Sequence, residues 1–168
     1  MDKVDDAHLL PADFDFHAST TAPVTALWRN TTHLDLFVTG KDGRVMSNFW
    51  EPSALKDSGW KARFPIDPGT GMAASGQPIT AVWRNPNHLD LFMTGKDGRV
   101  MSAYFEGNSW QPAWFPVDPD TGMAAPGQSI TAVGRNPNHL DLFMTGKDGR
   151  VMSTYFEGNS WQSAWFPI

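Results

Sequence analysis

Trp83, Arg84 and Asn85 follow one another in the chain, and Tyr104, Glu106, Asn108 and Trp110 come shortly after them. An indole offers a flat apolar face, a guanidinium a rigid fork of donors, and a carboxylate or amide a fixed hydrogen-bonding partner. The ligand that needs this combination carries a C–H face beside a rim of hydroxyls, which is the description of a sugar. The set recurs: Trp28 and Arg29 stand earlier in the chain, and Arg135, Tyr155, Glu157 and Trp161 later. Every one of these tryptophans has a second reading, as packing between structural units. Position 134 bears on the choice, because it is Gly where its counterparts are Trp28 and Trp83. Loss of a core Trp leaves a cavity costing about 3–5 kcal/mol. The position is therefore expected to be partly exposed, or to belong to a unit that has lost its pocket.

Other groups suggest other chemistries. Asp35, Asp90 and Asp141 fall in mid-strand patterns, where a carboxylate is expected to hold a turn through backbone N–H groups. Arg29, Arg84 and Arg135 are open between pairing with such a carboxylate and holding a ligand. His33, His88 and His139 are possible metal ligands by type, but no second ligand accompanies them at suitable spacing. Residues 118–122, Asp-Pro-Asp-Thr-Gly, faintly resemble a calcium loop. Proline at the second position, the lack of a closing carboxylate and Gly69 in the preceding copy argue against it. No metal or other cofactor is expected. An enzyme would need different groups converging on one centre, whereas these arginines and tyrosines are copies of single positions. A sialidase-like glycosidase is thus a weaker reading than binding, and its Asp-box is not matched by TGKDGRVM. Nucleophile-elbow, phosphate-loop and zinc motifs are missing as well.

Repetition is the organising fact. Residues 67–117 and 118–168 align over 51 positions without a gap and differ at seven: Gly69/Asp120, Ser75/Pro126, Pro78/Ser129, Trp83/Gly134, Ala103/Thr154, Pro112/Ser163 and Val117/Ile168. An earlier copy occupies 23–66, with an insertion around 51–59, and residues 1–22 form an N-terminal extension. Its DFDFHAST stretch is a possible clasp strand.

Within a unit, Ile79 to Arg84 is β-branched and aromatic and ends at Asn85-Pro86-Asn87, a strand terminator. His88 to Thr94 alternates, with Leu89, Leu91 and Met93 on one face and His88, Asp90, Phe92 and Thr94 on the other. Asp97-Gly98 between two apolar runs is a hairpin signal. Val100 to Phe105 is the third strand, and Trp110 to Val117 the fourth, with Pro112 pointing to an edge. Strand directions put the 85–88 and 106–109 loops on one face of the assembly, and the 96–99 turn and the 118–128 crossing on the other.

Three four-stranded antiparallel units of this length are expected to be β-propeller blades, which are stable only when neighbours cover their faces. Rings close with about four to eight blades, so three blades expose two apolar edges. Association is the expected remedy. A homodimer forming a six-bladed ring is the first choice, ahead of three chains giving nine.

Composition excludes several classes. The net charge is −5 and the 13 Lys and Arg are scattered one cluster per repeat, so no nucleic acid partner is expected. With no cysteine, neither disulfides nor thiolate metal sites can form. No apolar run reaches membrane-spanning length. The acidic start MDKVDDAHLLPADFDF does not fit a signal peptide. The chain is expected to be soluble, without membrane insertion, and any release would use another route.

The run RNPNHLDLFMTGKDGRVMSTYFE followed by W..AWFPI resembles the blade repeat of bacterial propeller lectins of the Photorhabdus type, within the fucose-specific propeller lectin group. The resemblance covers 23–168. It implies seven blades in one chain and metal-independent binding of fucose and related sugars in pockets between blades. For this chain it implies a lectin recognising fucose-like monosaccharides multivalently on glycans, with three blades in place of seven. A structural or protein-interaction propeller without sugar binding is the alternative.

Overall fold

The computed structural model describes residues 18, 21–53, 59–67, 69, 71–111, 113–118, 122–162 and 164–168. Most of the proposed clasp, part of the insertion, Pro112 and the middle of the 118–122 segment lie outside them.

The described residues form three antiparallel sheets in chain order. Blade 1 holds β1 (Thr25–Asn30), β2 (His33–Thr39), β3 (Val45–Trp50) and β4 (Phe64–Pro65). Blade 2 holds β5 (Thr80–Asn85), β6 (His88–Thr94), β7 (Val100–Glu106), β8 (Ser109–Trp110) and β9 (Phe115–Pro116). In blade 3, β10 (Thr131–Asn136), β11 (His139–Thr145), β12 (Val151–Glu157), β13 (Ser160–Trp161) and β14 (Phe166–Pro167) repeat that pattern. The expected four-stranded blade is present, with one change. The fourth strand is broken in two, because six residues from Trp110 to Phe115 run opposite four from Phe105 to Ser102.

Alternation along β6 joins the blades. Leu89, Leu91 and Met93 pack into one core with Phe37, Val45 and Ile66 of blade 1. Phe92, on the opposite face, joins Leu140, Leu142 and Met144 of blade 3. A strand with two apolar faces is thus buried on both sides only in the middle blade. Polar contacts reinforce the seams. Thr39 Oγ1 donates to the Gln77 carbonyl at 2.7 Å. Fully buried Gln77 in turn donates from Nε2 to the Gln128 carbonyl at 3.0 Å and accepts the Gly127 N–H at 3.1 Å.

The Asp-Gly turns behave as their chemistry dictates. Gly98 has φ +85°, a left-handed conformation that glycine adopts without strain. Its carbonyl accepts the N–H of Ala124 from the crossing that leads into the next blade. Ala73 makes the same bond to Gly43. Each crossing also bridges to its own blade, Ala73 to Gly95 and Ala124 to Gly146, and Ala18 bridges to Gly40 in the same manner. In the third such turn, Asp148 accepts the backbone N–H of Arg150 and its Nε, which holds the carboxyl below the usual carboxylate range. On the opposite face the Gly107 N–H donates to the Asn87 carbonyl at 3.0 Å. The 85–88 and 106–109 loops are therefore together, as the strand directions require.

Candidate functional site

Each first strand carries its Arg at a fault in the ladder. Trp83 pairs with Leu89 and Asn85 with His88, so Arg84 is the extra residue of a bulge, and Arg29 and Arg135 occupy the same place. Val82, two residues earlier, pairs with Asp90, so strand alternation keeps Arg84 on the Asp90 face while the bulge leaves it without a partner in the ladder. Its Nε donates to Oδ2 at 2.6 Å and its Nη2 to Oδ1 at 3.0 Å. Asp90 is buried. A buried carboxylate bonded in this two-pronged way is both neutralised and fixed in direction.

His88 completes the group. It stacks on Tyr104 with ring centres 5.0 Å apart and lies between two carboxylates, with Nε2 3.3 Å from Asp90 and Nδ1 3.4 Å from Glu106. The arrangement is built three times. In blade 1, His33 stacks on Phe49 and sits 3.1 Å from Asp35 and 2.9 Å from Glu51. In blade 3, His139 stacks on Tyr155 and sits 3.1 Å from Asp141 and 3.7 Å from Glu157.

Two of the three groups open onto cavities closed by the next blade. Between blades 2 and 3 a cavity of about 450 Å³ has Arg84, Tyr104 and Glu106 on one wall and Phe156, Asn159 and Trp161 on the other. Between blades 1 and 2 a cavity of about 360 Å³ repeats it, with Arg29 and Glu51 facing Phe105, Asn108 and Trp110. The aromatic wall packs on the guanidinium: Arg84 Cζ lies 4.5 Å from the Phe156 ring centre, and Arg29 Cζ 4.6 Å from that of Phe105. Trp110 and Trp161 also key the seams, edge-on to Phe37 at 5.8 Å and to Phe92 at 5.7 Å. Such a cavity offers an aromatic wall and oriented donors and acceptors to one small polar ligand.

Most residues singled out by type are brought together here. Arg29 and Trp110 line the first cavity; Arg84, Tyr104, Glu106 and Trp161 line the second. Arg135, Tyr155 and Glu157 hold the equivalent positions of blade 3. Trp83 is not among the lining residues: it stands behind Arg29, with Cζ 5.1 Å from the centre of its ring. Trp28, at the same position in blade 1, is 55% exposed. Asp90 was expected to hold a turn through backbone N–H groups, and its partners are instead the Arg84 and His88 side chains. Sequence reasoning missed the role of His33 and His88, although a His two residues before an Asp on one strand must share its face. Glu106 is directly opposite His88 in the hairpin register. The Phe105 and Phe156 walls carried no signal of their own. Among the described residues no cluster of His, Asp or Glu is arranged to hold a metal ion, and there is no helix long and apolar enough to cross a membrane.

No protein-family profile and no curated protein sequence matches the chain. Solved structures do. The BP39L lectin from Burkholderia pseudomallei superposes with a TM-score of 0.74 at 22% identity, over 88% of this chain and 41% of that one. The Aleuria aurantia lectin, described as a six-bladed β-propeller with a novel fucose recognition mode, gives 0.64 at 13% identity over 89% of this chain and 46% of that one. A fucose lectin from Kordia zhangzhouensis in complex with methyl-fucoside gives 0.52 at 13% identity, over 87% of this chain and all of that one. The chain spans less than half the length of the first two. Its fold is that of β-propeller blades, similar to those of propeller lectins.

Proposed function

We propose that the chain is a carbohydrate-binding lectin that takes fucose-like monosaccharides in the pockets between its blades, without a metal ion. The observation that carries this reading is the repetition of one pocket: an Arg–Asp–His–Glu group from one blade faces an aromatic wall with Trp110 or Trp161 from the next. The Glu106 carboxylate is largely exposed and available to a hydroxyl, while Arg84 is held rigid for another. The aromatic rings of Phe156 and Trp161 suit an apolar sugar face. The likeness to lectins whose descriptions name fucose or fucosides supports the same ligand class. The LDLF..G.DGRV core keeps the Photorhabdus-type blade as the finer assignment.

Copies of a weak site favour binding over turnover. A monosaccharide buries little area, so single-site affinity is modest, and several sites on one ring multiply it at a glycan-coated surface. The arginines support this too, since Arg29, Arg84 and Arg135 each face the Asp of their own blade and do not converge as catalysis requires. We further propose that two copies complete a six-bladed ring, a reading favoured by the coverage of nearly half of the six-bladed Aleuria chain.

A glycan array run with and without chelator, beside a chromogenic glycosidase panel, tests this. Chelator-resistant binding to fucosylated glycans with no hydrolysis is expected. Silence on the array overturns the lectin and leaves a scaffold; hydrolysis makes the protein an enzyme.

A further inference from the structure

We propose that His33 and His88 are positioning residues for the carboxylates of Glu51 and Glu106, and that they act in opposite charge states, so that the two internal pockets respond to pH in opposite directions. Use of a sugar as the readout rests on the lectin reading. The charge states rest on geometry alone.

The state of His88 is set by its neighbours. Its Nε2 lies 2.5 Å from Arg84 Nη2. A guanidinium has donors and no acceptor, so Nε2 accepts, and the ring carries its one proton on Nδ1. That nitrogen faces Glu106 Oε1, 3.4 Å away. Asp90 needs no proton from His88, because Arg84 already donates to both of its oxygens. With the Tyr104 ring stacked on the imidazole, His88 is a neutral link that ties an exposed carboxylate to a fixed guanidinium.

His33 has the same kinds of neighbour in a different arrangement. Arg29 is drawn between the Trp83 and Phe105 rings and reaches Asp35 by one long contact, Nη2 to Oδ1 at 3.4 Å. Arg29 Nε and Asp35 Oδ2 are left buried with no hydrogen-bond partner among the described residues. Both ring nitrogens of His33 face carboxylates, Nε2 at 3.1 Å from Asp35 Oδ1 and Nδ1 at 2.9 Å from Glu51 Oε1. An ionised carboxylate only accepts, so both nitrogens donate and the ring is an imidazolium. The difference traces to one position: Trp83 backs Arg29, whereas Gly134 offers Arg84 no ring, and Arg84 settles on Asp90 with both prongs.

The charged groups around His33 are Asp35 on its own strand, Glu51 beyond β3 and Arg29 on β1. Around His88 they are Asp90, Glu106 and Arg84, with the Tyr104 phenol on the stacked ring. The next blade adds no charge: it lines the first cavity with Phe105, Asn108 and Trp110, and the second with uncharged residues that include Asn138, Asn159 and Trp161.

Imidazole changes charge between about pH 5 and 8, so the pockets weaken at opposite ends of that range. As pH rises, His33 gives up one proton. The one that remains serves buried Asp35, since a buried charge without a partner costs more than an exposed one, and Glu51 loses its donor. As pH falls, His88 gains a proton on Nε2. Donor then meets donor at Arg84 Nη2, and the guanidinium is driven from the place where it is held for a hydroxyl.

Two measurements on the full chain test this: long-range proton–nitrogen NMR of the imidazoles without sugar, and calorimetry with methyl α-L-fucoside from about pH 5 to about pH 8. At neutral pH the spectra should show His88 as the neutral Nδ1–H tautomer and His33 as the imidazolium. Calorimetry should show one class of sites weakening about tenfold toward alkaline pH and another toward acid, the effect of one charge-assisted hydrogen bond. His33→Phe and His88→Phe keep the ring stack without nitrogens, and each should weaken its own class about tenfold at neutral pH. His33→Asn and His88→Asn supply a donor that does not titrate, so each should recover most of that loss and flatten its own arm of the profile. Where a Phe variant does not fold, the Asn variant carries the test. A flat wild-type profile, variants that alter the same arm, Asn variants that keep the wild-type pH dependence, or both rings in one charge state overturn the proposal. A wild type that binds no fucoside at any pH sinks the lectin reading instead, and the spectra then decide the charge states by themselves.

Discussion

The guanidinium carbon of Arg29, in the first blade, lies 5.1 Å from the centre of the Trp83 indole in the second. That contact accounts for the Trp at this position: its ring backs an arginine that belongs to the neighbouring blade. At the next seam the backing is absent. An ideal Cβ on Gly134 would find only the Val82 Cγ2 atom, 4.0 Å away.

Gly134→Trp should therefore fill a real gap beside Arg84. The expected gain is about 1–2 kcal/mol from buried apolar area and cation–π contact, seen as a rise of roughly 2–4 °C in melting temperature per kcal/mol. The number of sugars bound per chain should not change. A lower melting temperature would show that the indole does not fit.

Trp83→Gly is the reverse change. Removal of a half-buried indole together with a strand residue's side chain should cost about 2–4 kcal/mol, measured by urea unfolding. The same change at Trp28, 55% exposed within one chain, should cost only about 1 kcal/mol when unfolding is followed at a dilution where the chain is monomeric. Equal costs at the two sites would contradict the seam packing.

Asp90→Ala leaves the Arg84 guanidinium, whose side chain is only 11% exposed, without its counter-charge. A loss of about 3–5 kcal/mol is expected, along with weaker binding in the pocket between blades 2 and 3. Asp141→Ala removes the partner of an exposed arginine and should cost under about 1 kcal/mol. The difference between the two variants in denaturant midpoint checks the assignment.

Gly98→Ala and Gly107→Ala place the same methyl on left-handed backbone, at φ +85° and +63°. Both incur strain of about 1–2 kcal/mol. The first should be worse, because its Cβ meets the Gly122 carbonyl oxygen at 2.9 Å while the second has nothing within 4 Å. Equal melting temperatures would mean that the crossing yields without cost.

The blade was legible wherever one local rule decided. The His88–Thr94 strand follows from strict alternation, and the Asp97-Gly98 turn from its dipeptide. Two features escaped because they depend on counting across strands. The bulge at Arg84 exists only as a mismatch between Trp83–Asn85 and Leu89–His88, and the break between Trp110 and Phe115 only as a surplus against β7. The site was legible as a list of residue types. Its grouping was less so: Trp83 and Arg84 are adjacent in sequence but serve opposite seams, since neighbouring strand residues face opposite sides of the sheet.

Each crossing at residues 71–74 and 122–125 hydrogen-bonds to two successive blades while lying outside the strands of both. The boundary between the 51-residue units at 117 and 118 falls just ahead of it. A recombination event at that boundary inserts or deletes a blade without cutting a sheet, and every inserted copy brings half of a pocket on each side. Blade number is thus a heritable variable that genetic copying can alter in whole steps, and valency changes with it while the pocket's chemistry stays the same.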